Sequence, residues 1–236
     1  MKINRYTTLQ NQNIQFSSKT DGDKKQKNNP AVLAATIAGT LVPMFIIRGY
    51  QGKALKSGAL KGLDLGAKAK AVLKSFHIEY GLNEMLYTSF GSIAGGLFGG
   101  LAFSKNEDKT KKAKIKESIF QFSNIAIPTS IVAGLLELSK KSKSKYETLL
   151  KIASVIVGVG AGMPLAAAVS KKVNNTFVDS KNPDTRQLKL KDAFVHVDDL
   201  VGAIALAKVP FLDKLPIDQI LPVLYAMCGY EAGTKK

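Results

Sequence analysis

The stretch His196-Val197-Asp198-Asp199 is the one place in the chain where a histidine lies within three residues of two carboxylates. Imidazole and carboxylate are metal ligands and proton carriers, so these residues are the first candidates for chemistry. Their spacing matches no metal motif. Asp198 and Asp199 also suit a helix start, where a side-chain oxygen accepts from the free backbone N–H groups and negative charge meets the positive end of the helix dipole. His196, Asp198 and Asp199 are therefore read as a polar cluster at a helix N-terminus, with no metal. His77-Ile78-Glu79 has the H-x-E spacing of zinc deaminases, but the Pro-Cys-x-x-Cys that must accompany it is absent. Cys228 is the only cysteine, which excludes an intrachain disulfide and a cysteine-rich zinc site. Gly158-x-Gly160-x-Gly162 lacks both the full dinucleotide fingerprint and the Gly-Lys-Ser/Thr of a phosphate loop. Glu137 and Lys151 are the ionisable groups nearest to lipid depth. Both fall near segment ends, with Lys140 and Lys141 in helical reach of Glu137. No nucleophile–base arrangement can be argued, so the expectation is a protein that is not an enzyme, with no cofactor.

The elements around these residues are long apolar runs. Met85–Ser104 carries no charge and is about as long as the roughly 20 residues a helix needs to cross a hydrocarbon core. Gly91, Gly95 and Gly99 are four apart within it, and so are Ser92, Gly96 and Gly100. Four residues is about one helical turn, so each series makes a groove along one side of a helix. In water each glycine would disfavour that helix by roughly 1 kcal/mol relative to alanine. In lipid, helix is the conformation that satisfies the backbone, and glycine lets a second backbone approach closely. Leu149–Ser170 repeats the pattern with Ser154, Gly158, Gly162, Ala166 and Ser170. Ala31–Ile47 carries Ala31, Ala35 and Gly39, starts at Pro30 and holds Pro43 inside. Ile119–Leu138 is weaker, with Gln121, Asn124 and Pro128. It either crosses against neighbouring helices or dips in and returns. Ala126, Ser130 and Gly134 give it a four-residue series of its own.

Between the runs lie lysine-rich connectors. The chain has 236 residues and a formal net charge of +16, from 34 Lys+Arg against 18 Asp+Glu. Only Arg5, Arg48 and Arg186 are arginines, and the lysines are spread through every connector. That distribution argues against a nucleic-acid reader, which concentrates Arg and aromatics on one face. It suits solvation, contact with anionic lipid headgroups and control of topology. Residues 1–30 are polar and read as a disordered leader. The run that follows exceeds the core of a signal peptide and reads as an uncleaved anchor. The segment 49–81, with Gly58, Gly62 and Gly66, reads equally as an interfacial helix or a basic loop. KNEDKTKKAKIKES reads as a charged connector, with Asn83-Glu84 capping the helix of Met85–Ser104. Leu200–Leu212 and Leu215–Tyr230 are short and punctuated by prolines, and are expected to form a helical hairpin against the bundle.

The predicted architecture is an all-α polytopic membrane protein with about four spans, small-residue ladders and a C-terminal helical hairpin. It divides into a leader at 1–30, a bundle at 31–199 and the hairpin at 200–236. The expected packing residues are Gly91, Gly95, Gly96, Gly99, Gly100, Ser154, Gly158, Gly162 and Ala166. The expected role is structural, in helix association with the lipid bilayer, a second copy or a partner membrane protein. The four-segment set with its glycine ladders resembles the mitochondrial inner-membrane translocase family and its pore-forming relatives, which implies a channel, transporter or translocase-like pore as the alternative. A soluble or peripheral all-helical protein is the remaining one. With four crossings, one side receives 18 Lys+Arg and the other 11. That places the N-terminus inside, in what the leader suggests is a bacterial inner membrane.

Overall fold

The computed structural model describes residues 29–52, 61–62, 64, 66, 78–104, 107–141, 146–184, 197–208 and 216–236. The described residues are all-helical, with no strand. The helices are α1 (Pro30–Tyr50), α2 (Leu82–Phe103), α3 (Asp108–Lys141), α4 (Glu147–Val173), α5 (Val197–Ala207) and α6 (Ile217–Thr234). A π-helical turn, Asn174–Val178, continues α4. Four helices are long and apolar enough to cross a membrane: α1, α2, α3, and α4 with its π turn.

Helix starts follow local chemistry. Pro30 sits in the first turn of α1, and the Asn29 side-chain oxygen accepts from the backbone N–H of Ala31 and Val32 at 3.1 and 3.3 Å. α1 runs through Arg48 and Gly49 to Tyr50, with Gln51 as its cap. α2 starts one residue before Asn83, so Asn83 is helical and not the cap. The cap role falls to Glu84, whose Oε2 accepts from the Gly81 N–H at 3.0 Å. The Tyr50 hydroxyl donates to the other oxygen of Glu84 at 2.7 Å, so one carboxylate ties the end of α1 to the start of α2.

The charged stretch after α2 is largely not a connector. From Asp108 onward it forms the first turns of α3, which then continues through Gln121, Asn124 and Pro128 to Lys141 without returning. Lys, Glu, Ala and Ile all favour helix, and charge does not oppose helix where water can solvate it. At 34 residues α3 is about 51 Å long, well beyond a hydrocarbon core of ~30 Å.

The long helices alternate in direction. Asn29, at the start of α1, reaches Ser104 at the end of α2, while Tyr50 reaches Glu84 at the opposite ends. Gly158 and Gly162 of α4 lie against Val132 and Pro128 of α3, which sets that pair antiparallel as well. α6 runs parallel to α2. One apolar cluster is built from Met44, Ile47, Met85, Ile93, Leu221 and Tyr225, and a second from Val132, Leu136, Val155, Val159 and Met163. The short helix α5 joins them. Its Ala203 and Ala207 belong to the second cluster, and its Val201 and Ala205 pack on the first. An edge-to-face contact of Phe90 and Phe122, centroids 5.6 Å apart, links α2 to α3.

Candidate functional site

α2 is the helix on which the rest converges, and it uses two faces. Gly91, Gly95 and Gly99 lie against α1, opposite Pro43, Gly39, Ala35 and Val32. A Cβ added at Gly95 would stand 2.5 Å from the Ala35 carbonyl oxygen and 2.9 Å from the Gly39 Cα. Ser92, Gly96 and Gly100 lie against α6. A Cβ at Gly96 would overlap the Gly229 carbonyl, and one at Gly100 would come within 2.8 Å of the Gly233 Cα. At these positions the neighbour is backbone, which cannot swing aside as a side chain does. Approach this close also brings Cα–H groups against carbonyl oxygens. The Ser92 hydroxyl donates to the Tyr225 carbonyl at 2.6 Å and so pins the same pair of helices.

On α4, Gly158 and Gly162 meet Val132 and Pro128 of α3. Ser154 and Ala166 are buried, and the Ser154 hydroxyl turns back to the Leu150 carbonyl at 2.8 Å. Gly134 of α3 behaves differently: a Cβ there would meet nothing within 4 Å.

A second feature is a polar cap at the end of the bundle that gathers the starts of α1 and α3 and the ends of α2, α4 and α6. Lys114 is 1% exposed, and its ammonium donates to the Lys235 carbonyl at 2.8 Å. Lys235 in turn lies 3.4 Å from Glu117. Gln121 donates to Glu117 at 3.0 Å and to Glu231 at 3.1 Å, so α3 grips the last turn of α6. Beside this lies the π turn. The buried Asn174 side chain donates to the Lys116 carbonyl at 3.2 Å and to Asp184 at 3.1 Å, and the Asp184 N–H donates to Asn175 at 2.6 Å. Lys112 and Lys116 each stand 3.6 Å from Asp179. The hydrogen bond from Asn182, and then the two lysines, hold the Asp179 carboxyl below the usual carboxylate range against the opposing effect of its burial.

The residues first singled out for chemistry fall partly outside the described residues. His196 and His77 lie outside the described residues. Asp198 and Asp199 fall in the first turn of α5, and their side chains also lie outside the description. Among the described residues no group of three or more His, Cys, Asp or Glu could hold a metal ion. Glu137 pairs with Lys140 at 2.7 Å, with both exposed, and Lys151 pairs with Glu147 at 2.8 Å. Cys228 is buried on α6. Sequence reasoning missed Gly229 and Gly233, although their spacing is that of the series on α2. It also missed the buried stripe Lys114, Glu117, Gln121 and Asn124, although these recur at helical spacing.

Fold and site together define an all-helical protein with four helices fit by length and composition to cross a membrane. No known protein family, curated protein or solved structure matches the chain.

Proposed function

We propose that this chain is a polytopic integral membrane protein whose role is structural: a bundle held by small-residue helix contacts, in which α2 is the shared partner of α1 and α6. The observation that carries this reading is the distribution of polarity. The exposed faces are strongly apolar, with Phe45 and Ile46 on α1, Phe98 on α2, Ile156 and Val157 on α4 and Met227 on α6. Beside its two apolar clusters the interior also holds Thr36, Thr40, Thr88, Ser92, Asn124 and Thr129. A protein folded by water would arrange these the other way round. In lipid the arrangement is favourable, since the hydroxyls of Thr36, Thr40 and Thr129 bond to carbonyls of their own helices at 2.6 to 2.9 Å. Exposed aromatics at helix ends, Tyr50 and Tyr146 at one end and Phe103 and Phe177 at the other, fit the two membrane–water interfaces.

The glycine faces of α2 are filled by the backbones of α1 and α6, which favours packing over the lining of a pore. Lysine dominates the capped end, which supports placing that end and the N-terminus on the cytoplasmic side, next to anionic lipid. The test is extraction followed by labelling. The chain should stay with membranes through a carbonate wash, and recovery in the aqueous fraction would overturn the reading. After replacement of Cys228, Ser18→Cys and Ser57→Cys should react with an impermeant reagent from opposite sides. Equal reaction from one side would overturn the four-span topology. Ion flux through liposomes holding the pure protein would favour the pore reading instead.

A further inference from the structure

We propose that the capped end carries a contact site for an anionic phospholipid headgroup, formed by the end of α4 and its π turn, with Phe177 as its apolar anchor. The inference rests on the membrane reading above and goes further by giving the lipid partner a place and a chemistry. Phe177 is 81% exposed, the highest exposure among the large apolar side chains described. It sits on the π turn that follows the last turn of α4. An aromatic ring fully presented at a helix end loses least where it can enter the acyl boundary.

The charges around it are divided by the fold. Lys112 and Lys116 are engaged by Asp179, and Lys116 also donates to the Asn182 carbonyl. Lys171, Lys172 and Lys181 have no ion-pair partner among the described residues. Lys171 and Lys172 lie on the turn just before Phe177, and Lys181 follows Asp179 by two residues. Asn174 on the Lys116 carbonyl and Asp179 on Lys112 and Lys116 hold the segment against α3, so these lysines flank Phe177 in sequence on a braced segment. Ammonium groups beside an inserted ring fit a headgroup phosphate whose acyl chains lie beside that ring. Each lysine near an anionic surface favours the charged lipid by roughly fivefold.

The chain contains no tryptophan, so an introduced one is a clean reporter. The full chain with Phe177→Trp is placed in phosphatidylcholine vesicles containing a minor fraction of brominated phosphatidylglycerol, or the same fraction of brominated phosphatidylcholine. Quenching at least about twofold stronger by the anionic lipid is expected, since a single engaged lysine supplies more than that. The preference should vanish in Lys171→Gln/Lys172→Gln/Lys181→Gln and weaken in high salt. Phe90→Trp, exposed near the middle of α2, should be quenched equally by both lipids. Equal quenching at both positions would overturn the headgroup site and leave the membrane reading standing. Absence of quenching at Phe90→Trp would overturn the membrane reading, and the headgroup site with it.

Discussion

Gly96→Ala adds one methyl group where the structure leaves none of the required space, because the Gly229 carbonyl of α6 already occupies it. Forcing a carbon into a packed interior costs about 1–3 kcal/mol, and the upper half of that range applies here because the obstacle is backbone. The better helix preference of alanine offsets at most about 1 kcal/mol of this. The remainder, about 1–2 kcal/mol, falls on the α2–α6 contact alone, since the α1 face of α2 is formed by Gly91, Gly95 and Gly99. The structure also supplies the reporter. Cys228 is the only cysteine, is 6% exposed and sits on α6 next to Gly229.

A membrane-permeant maleimide can reach this thiol only when α6 opens, so its labelling rate follows the free energy of that opening. Gly96→Ala should speed labelling about tenfold, the factor that corresponds to 1.4 kcal/mol. Gly158→Ala meets Val132 of α3, with no atom of α6 among its nearest neighbours. It should lower overall stability without a comparable change in Cys228 labelling. Gly134→Ala should leave Cys228 labelling unchanged and should not lower stability, since a Cβ there meets no neighbour and alanine favours the helix. The reasoning is refuted if Gly96→Ala labels at the parental rate, or if Gly96→Ala and Gly158→Ala accelerate labelling alike.

Ser92→Ala removes the hydroxyl bonded to the Tyr225 carbonyl and should destabilise the bundle by about 0.6–1 kcal/mol, read as a shift in unfolding by detergent. Asp179 is held below its ordinary pKa, so its contribution is fully present above about pH 4 and is lost as pH falls through the lower folded value. A melt series from pH 6 downward should show that acid loss in the parent and a smaller one in Asp179→Asn; an identical acid limb in the two would contradict the assignment. Taken out of the protein, the segment Met85–Ser104 should associate with itself in a membrane reporter, because both its faces are then vacant. Gly95→Leu or Gly96→Leu should weaken that association while insertion is retained.

Much of this was legible in the residues. The four apolar runs coincide with the four long helices, Ser104 being the cap of α2, because a long apolar run keeps its backbone groups paired away from water most simply as a helix. Helix ends were less legible. The stretch from Asp108 to Ser118 reads as a connector by charge, yet charge determines solvation and not helix formation, and the first turns of α3 are built from good helix formers. Likewise α4 continues past Ser170 to Val173 before its π turn, because Lys171 and Lys172 suit the negative end of a helix dipole. The buried cap was hidden for another reason. Lys114 and Glu117 look like solvated residues until α6 places Lys235 and Glu231 over them, and no local pattern announces a partner 121 residues away.

Small-residue spacing therefore states where a backbone can come close, and leaves open whose backbone it will be. The two series on α2 have the same composition and period, yet one meets a sequence neighbour, α1, and the other a helix from the far end of the chain. What separates the two contacts is polar and local to each pair. The α1–α2 pair is closed by Tyr50 on Glu84 and by Asn29 near Ser104. The α2–α6 pair is aligned by Ser92 on Tyr225, and α3 holds the last turn of α6 through Gln121 and Lys114. Glycine contacts in lipid are permissive and nearly interchangeable. A few hydrogen bonds at defined heights along the helices are then enough to select one arrangement among several that the glycines alone would allow.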